Sequence, residues 1–369
     1  MNHPRTIGLA WAIAATVAVA VPAAGGKSGV LPPGATAYLH DSKTDYSQPE
    51  WMARLSDTTQ LDRISMVGTH DSASYYGGDI VQTQSLSIAD QLDMGVRCLD
   101  LRCKHIRNGL QVYHGIVDQK MKCRDFVVSI VQFLRQHPTE TVLLRVAEED
   151  RGAKNTNTFE EAFLTEIYNY DYSKITPPGA KPTRESPFYV GPILPPLGKV
   201  RGKIYILQSF NGNAYGQYYD DTLLPDTWKM KTNWDLYDKW ERVKKNLETT
   251  MAGKPVGRFY VNALNASVGS FPYFVVSGKS SPQTNAPQLA TGFTTPGWKS
   301  KYPDFPRVAC VAGICTIAFM GTNQLTDQYI RAKAKDRKPG NEPFVGLIST
   351  DFPGPSLVDA VIHANHFVK

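Results

Sequence analysis

Two histidines and an arginine in this chain each follow an apolar run, at points where small residues leave room for a ligand. His70 and Asp71 lie in "SMVGTHDSASYYGG" (65–78), Asp100 and Arg102 in "VRCLDLRC" (96–103), and His114 in "LQVYHG" (110–115). Glu148 and Glu149 close "ETVLLRVAEE" (140–149), and Asp351 stands near the end of "PFVGLISTDF" (343–352). One imidazole can take a proton, a second can give one, and a guanidinium can hold two phosphate oxygens in its planar fork. That is a minimal set for phosphoryl transfer to a neighbouring hydroxyl with no obligatory metal. The remaining histidines, His3, His40, His105, His137, His363 and His366, read as solvated or capping groups, with His105 in a turn beside Asn108 and Gly109.

Such groups need a scaffold that delivers them to one place. The quoted runs, with "KIYILQSF" (203–210) and "RFYVNALN" (258–265), are short, apolar and rich in β-branched and aromatic residues, so they predict strands. Between them "KCRDFVVSIVQFLRQHP", "TFEEAFLTEIYNY", "DLYDKWERVKKNLETTM" and "SLVDAVIHANHF" carry apolar residues three and four apart, the pattern of helices. Apolar strands alternating with helices imply a parallel sheet covered on both faces. The expectation is an α/β fold, a distorted TIM-type barrel in a single domain, with chemistry at the strand exits. Alternation puts Asp100 and Arg102 on one face and Leu99 and Leu101 on the other; the leucines belong against helices, so the polar pair faces the lumen.

Composition fits a globular protein, with 42% hydrophobic and 20% charged residues. Residues 1–24 hold one arginine, then an apolar run and a small-residue cluster, the layout of a secretory signal peptide. A Pro/Gly/Ser-rich arm (25–58) follows, then the barrel (59–369), and the protein is expected to be secreted. The formal charge of +6, with no run of four basic residues, argues against nucleic acid and permits contact with anionic surfaces. Of the five cysteines, Cys310 and Cys315 can close a tight loop, and strand parity lets Cys103 meet Cys123 while Cys98 stays buried and free. No cysteine spacing suggests a zinc site.

The ordered series "GTHDS", "DLR" and "HG" resembles the phosphatidylinositol-specific phospholipase C family, in its metal-independent bacterial form built on an X-domain barrel. The resemblance runs from about residue 60 to residue 366. It implies cleavage of phosphatidylinositol, or glycosylated forms of it, to diacylglycerol and inositol 1,2-cyclic phosphate. His70 would be the general base oriented by Asp351, and His114 the general acid held by Asp71 and Asp100. Arg102 would stabilise charge on phosphorus, where calcium-dependent relatives place a metal ligand. Asp235 and Tyr237 of "WDLY" would contact the inositol ring, with Glu149 retained beside them. Two cationic ring contacts of the bacterial enzymes are replaced, by Ala147 and by Gln208 and Ser209. Reaction type is therefore better specified than head group, and another phosphodiesterase chemistry or a binding-only barrel are the alternatives. The resemblance implies no cofactor, although Glu148 and Glu149 leave a calcium role open. The implied partners are a phospholipid surface and an inositol lipid, met by a monomer. Aromatic stretches within 211–228, 269–278 and 292–298 suit interfacial contact, and Asn265 in "NAS" forms a glycosylation sequon.

Overall fold

The structure is a computed structural model that describes residues 28–149, 154–224, 228–253, 257–293, 301–335 and 340–368. The predicted signal peptide, and parts of two aromatic stretches, lie outside the described residues. The strands are β1 (Met66–Thr69), β2 (Cys98–Ile106), β3 (Gly109–His114), β4 (Val117–Lys122), β5 (Val142–Glu148), β6 (Ile204–Ser209), β7 (Gln217–Tyr218), β8 (Lys229–Met230), β9 (Val261–Ala263), β10 (Ser267–Val268), β11 (Arg307–Val311), β12 (Ile314–Ile317) and β13 (Leu347–Thr350). The helices are α1 (Ile88–Met94), α2 (Cys123–Gln136), α3 (Phe159–Phe163), α4 (Leu236–Ala252), α5 (Pro272–Ser277), α6 (Thr322–Lys335) and α7 (Pro355–Ile362).

Seven strands run parallel in the order β7-β6-β5-β2-β1-β13-β9. This is the curled α/β sheet that the alternation of apolar strands and helices predicts. Its two edges meet through an isolated bridge, Leu223 to Tyr260, rather than through a ladder. The fit is close inside. A side chain on Gly68 of β1 would press within 2.9 Å of Cβ of Cys98, so only glycine lets β1 approach β2 there.

The helical layer follows from sequence periodicity. α2 buries Phe126, Val127, Ile130, Val131 and Leu134 at three- and four-residue spacing. The short α1 is capped by Ser87, whose hydroxyl accepts from the Asp90 amide, and ends at Gly95 with φ 122°. Beneath the sheet Arg97 and Glu140, both fully buried, pair at 2.9 Å, and Arg97 also donates to the carbonyls of Leu92, Val96 and Pro49.

Several expectations need correction. "LQVYHG" is no barrel strand: β3 pairs antiparallel with the outer half of β2 and with β4, so His114 arrives on a hairpin beside the mouth. His105 is buried in β2, with Nε2 3.0 Å from Oδ1 of Asn157, and not in a solvated turn. The arm is packed, since Tyr46, Trp51, Met52 and Leu55 are buried and the Trp51 indole donates to the Gly95 carbonyl at 3.0 Å. The disulfides are Cys103–Cys123, as parity predicts, and Cys310–Cys315, as its close spacing predicts, with Cys98 free and buried.

Candidate active site

The lumen-facing residues of neighbouring strands form layers. Asp100 of β2 lies level with Arg145 of β5 and Leu207 of β6, and Arg102 lies level with Ala147 and Ser209. Above these layers is a cleft of about 490 Å³, lined among others by His70, Arg102, His114, Arg145, Glu149 and Asp351. His70 and Asp351 leave β1 and β13, which pair side by side, and the His70 amide donates to the Thr350 carbonyl at 3.0 Å. Asp71 and Phe352, the residues that follow, both take left-handed backbone, at φ 41° and 45°. Such strain at two adjacent strand exits is what a site that fixes its side chains accepts.

Asp351 Oδ1 lies 2.9 Å from Nδ1 of His70, and Arg102 Nη2 donates to His70 Nε2 at 2.9 Å. A guanidinium can only donate, so Nε2 is the acceptor and Nδ1 carries the ring proton toward Asp351. Burial, together with the charge on Arg102, lowers the His70 pKa to about 4 against the pull of Asp71. Burial also pushes the Asp351 carboxyl well above its usual range. With the ring proton on Nδ1, the neutral imidazole donates to Asp351, and that hydrogen bond offsets part of the cost of burying the carboxylate.

His114 is oriented by a residue that sequence reasoning missed. Ser74 donates its hydroxyl hydrogen to the Val81 carbonyl at 2.9 Å, so at 3.0 Å it accepts from Nδ1 of His114. That leaves Nε2 of His114 to exchange protons, 3.3 Å from Asp71 Oδ2. Asp71 is the hub, since its Oδ2 is also 3.5 Å from His70 Nε2 and its Oδ1 is 2.6 Å from Arg102 Nε. The two imidazole centroids are 6.3 Å apart with perpendicular planes, a spacing that fits one reacting group between them.

Arg102 is gripped by carboxylates: Asp71 at 2.6 Å, Asp100 at 3.1 Å and Glu149 at 3.5 Å. Burial resists its charge, but those acids raise its pKa further. Burial likewise opposes ionisation of Asp100, yet Arg145 and Arg102 hold it well below the carboxylate range. Glu149 also accepts the Gly115 amide at 2.7 Å, which ties the His114 hairpin to β5. Glu148, one residue earlier, is exposed and projects from the other face of β5.

His70, Asp71 and Asp100 have ligand atoms close enough together to hold a metal. The Arg102 guanidinium lies against both carboxylates, so an added cation would meet a fixed positive charge there.

Asp235 and Tyr237 fall outside this cleft. Asp235 accepts the amides of Lys231 and Thr232 at 3.0 and 2.9 Å, closing a capping box on the 3-10 turn Asn233–Asp235 that leads into α4. Tyr237 is buried against Tyr302 and Phe305, with its hydroxyl 3.3 Å from Asp304. The expected ring contacts are therefore structural here. The lumen wall is also not stripped of cations, because Arg145 faces the cleft two residues before Ala147. Its parity with Glu149 on β5 was the available signal. Asn265, of the predicted sequon, is 4% exposed and lines the same cleft.

A TIM-type barrel with two imidazoles, a guanidinium and buried carboxylates at its mouth is an arrangement suited to acid–base chemistry on an anionic ester. Comparison with known proteins narrows it. Residues 58–181 match the family model PI-PLC X 1. A 1-phosphatidylinositol phosphodiesterase of Listeria monocytogenes is 32% identical over 172 residues, 45% of this chain and 50% of that protein. The match thus spans about half of that relative's length. One from Staphylococcus aureus is 27% identical over 290 residues, covering 70% of this chain and 89% of that protein. Among solved structures, the phosphatidylinositol-specific phospholipase C from Listeria monocytogenes aligns over 87% of this chain and 100% of its own, with TM-score 0.58 and 21% identity. One from Staphylococcus aureus aligns over 86% and 97%, with TM-score 0.59 and 20% identity. These two likenesses establish the shared fold.

Proposed function

We propose that the protein is a secreted, metal-independent phospholipase C that cleaves phosphatidylinositol or glycosylated forms of it. The observation that carries this reading is the chain Asp351–His70–Arg102, facing His114 across Asp71. As the Arg102 guanidinium turns from His70 Nε2 to the phosphate oxygens, that lone pair is freed to take the proton of the inositol 2-hydroxyl, whose oxygen attacks its own phosphorus. Arg102, charged throughout, stabilises the negative charge that builds on the non-bridging oxygens. His114 Nε2 gives its proton to the departing diacylglycerol oxygen as the bond to phosphorus breaks. The products are diacylglycerol, which carries the proton from His114, and inositol 1,2-cyclic phosphate, and His70 is left holding the proton of the 2-hydroxyl. Asp351 and Ser74 act as positioning residues that set the tautomers.

The substrate is embedded in a bilayer, and the cleft is bordered to match. Ile80, Trp228 and Val268 line it, and Ile116 follows the His114 hairpin; all four are exposed. Trp234 and Phe271 extend the apolar rim beside Ile80. Every group in the mechanism comes from one chain, so a monomer suffices. The N-terminal apolar run and the disulfides support an oxidising, extracellular setting.

The test is phosphorus NMR of the purified protein with phosphatidylinositol vesicles, with and without EDTA. A cyclic phosphate signal indifferent to EDTA is expected. Loss of that signal in EDTA would place a metal among the carboxylates. No turnover in either condition would sink the reading in favour of another head group or a binding role.

A further inference from the structure

The cleft contains polar groups that the reaction above does not use, and two have unmet hydrogen-bonding capacity. Arg145 lines the cleft from β5 and is weakly held. Its Nη1 is 3.3 Å from both Asp100 oxygens and its Nη2 is 3.4 Å from Ser209 Oγ, both at the long limit of hydrogen bonding. Its Nε is buried with no partner among the described residues. The guanidinium lies 4.1 Å over the Tyr219 ring, which fixes its plane without consuming a donor. Asn265, beyond β9 at the other edge of the strand order, lines the same cleft and has a buried Oδ1 with no partner among the described residues.

A buried donor and a buried acceptor left open in one cleft are costly unless a ligand completes them. In the reading above Arg102 takes the phosphate, so Arg145, one strand further round, is placed for what is attached to the phosphate. A sugar hydroxyl both donates and accepts, which is the chemistry this pair lacks. We infer that Arg145 and Asn265 hold the ring hydroxyls of an uncharged polyol head group, Arg145 replacing the cations absent at Ala147 and Ser209. This rests on the functional reading above. Arg145 shares Asp100 with Arg102, so its charge is balanced and leaves little attraction for an additional phosphate on the ring.

The experiment pairs ligand-observed NMR titration of myo-inositol with steady-state turnover of phosphatidylinositol in mixed micelles. Arg145→Met should weaken inositol binding and raise KM by roughly ten- to a hundredfold, with a smaller change in kcat and an unmoved pH profile. Asn265→Ser should raise KM by about tenfold. Adding Ala147→Lys to Arg145→Met, which returns a cation to the same face of β5, should recover part of the loss. If Arg145 only braces Asp100, Arg145→Met would lower kcat and Tm, move the pH profile and leave inositol affinity intact; that overturns the proposal. Should Arg145→Met not fold, Arg145→Lys decides, and wild-type inositol affinity in that variant and in Asn265→Ser overturns the assignment. A wild type that binds inositol without cleaving the lipid defeats the functional reading, while the titration still decides this one. A wild type that does neither overturns both.

Discussion

Arg102 donates to Nε2 of His70 at 2.9 Å, so the nitrogen facing the cleft is held as a proton acceptor. In the proposed reaction, the cation that would stabilise phosphate charge also adds to burial in keeping the base unprotonated. Two properties usually assigned to separate residues are coupled in one contact.

The first prediction concerns pH. The lowered His70 pKa of about 4 means that this imidazole is unprotonated at and above mildly acidic pH. The acid limb of kcat/KM for phosphatidylinositol should therefore fall near pH 4, well below the ordinary histidine value of about 6.5. His70→Ala should lower kcat by roughly 10²–10⁴-fold across the profile. An acid limb at an ordinary histidine pKa would refute the coupling.

Arg102→Lys keeps a charge and loses the fork that spans His70, Asp71 and Asp100. Turnover should fall by roughly 10²–10³-fold, with the acid limb moving upward as the donor to Nε2 is lost. Chelator should change neither wild type nor variant, as read from cyclic phosphate release.

Stability should depend on a pair far from the chemistry. Glu140→Ala would leave Arg97 fully buried without its counter-charge, at a cost of about 3–5 kcal/mol in denaturant unfolding. Joint replacement by apolar residues of similar volume should restore much of the loss. Equal loss in single and double variants would show that Arg97 acts through its carbonyl contacts instead.

At the rim, Ile116→Ser and Trp234→Ser should each weaken vesicle binding by about tenfold, as expected for one apolar side chain withheld from the bilayer. Sedimentation with lipid vesicles measures this. Turnover of a water-soluble, short-chain lipid below its micelle concentration should stay unchanged. A matching loss on the soluble lipid would mean that these residues support the cleft rather than the membrane contact.

Much of this architecture was readable from local pattern. Alternation along "LDLR" placed Asp100 and Arg102 in the lumen, strand parity turned Cys103 toward Cys123, and close spacing let Cys310 and Cys315 pair. The hairpin of β3 and β4 was not readable as such. Two-residue periodicity is the same for parallel and antiparallel strands, so "LQVYHG" was given the wrong pairing. Asp235 was misplaced although Thr232 three residues earlier announced a helix cap. α6 was missed because many of its residues are polar and its contacts are tertiary. For Arg145 the sequence holds one signal, its sharing of a β5 face with Ala147 and Glu149.

The single bridge from Leu223 to Tyr260 bears on the shape of the mouth. A fully zipped cylinder has its radius fixed by strand number and stagger. A ribbon curled until its margins touch at one rung is released from that arithmetic. Its lumen can be oval, with the His70–Arg102 side built to one width and the Asn265 side to another, each set by the cargo it receives.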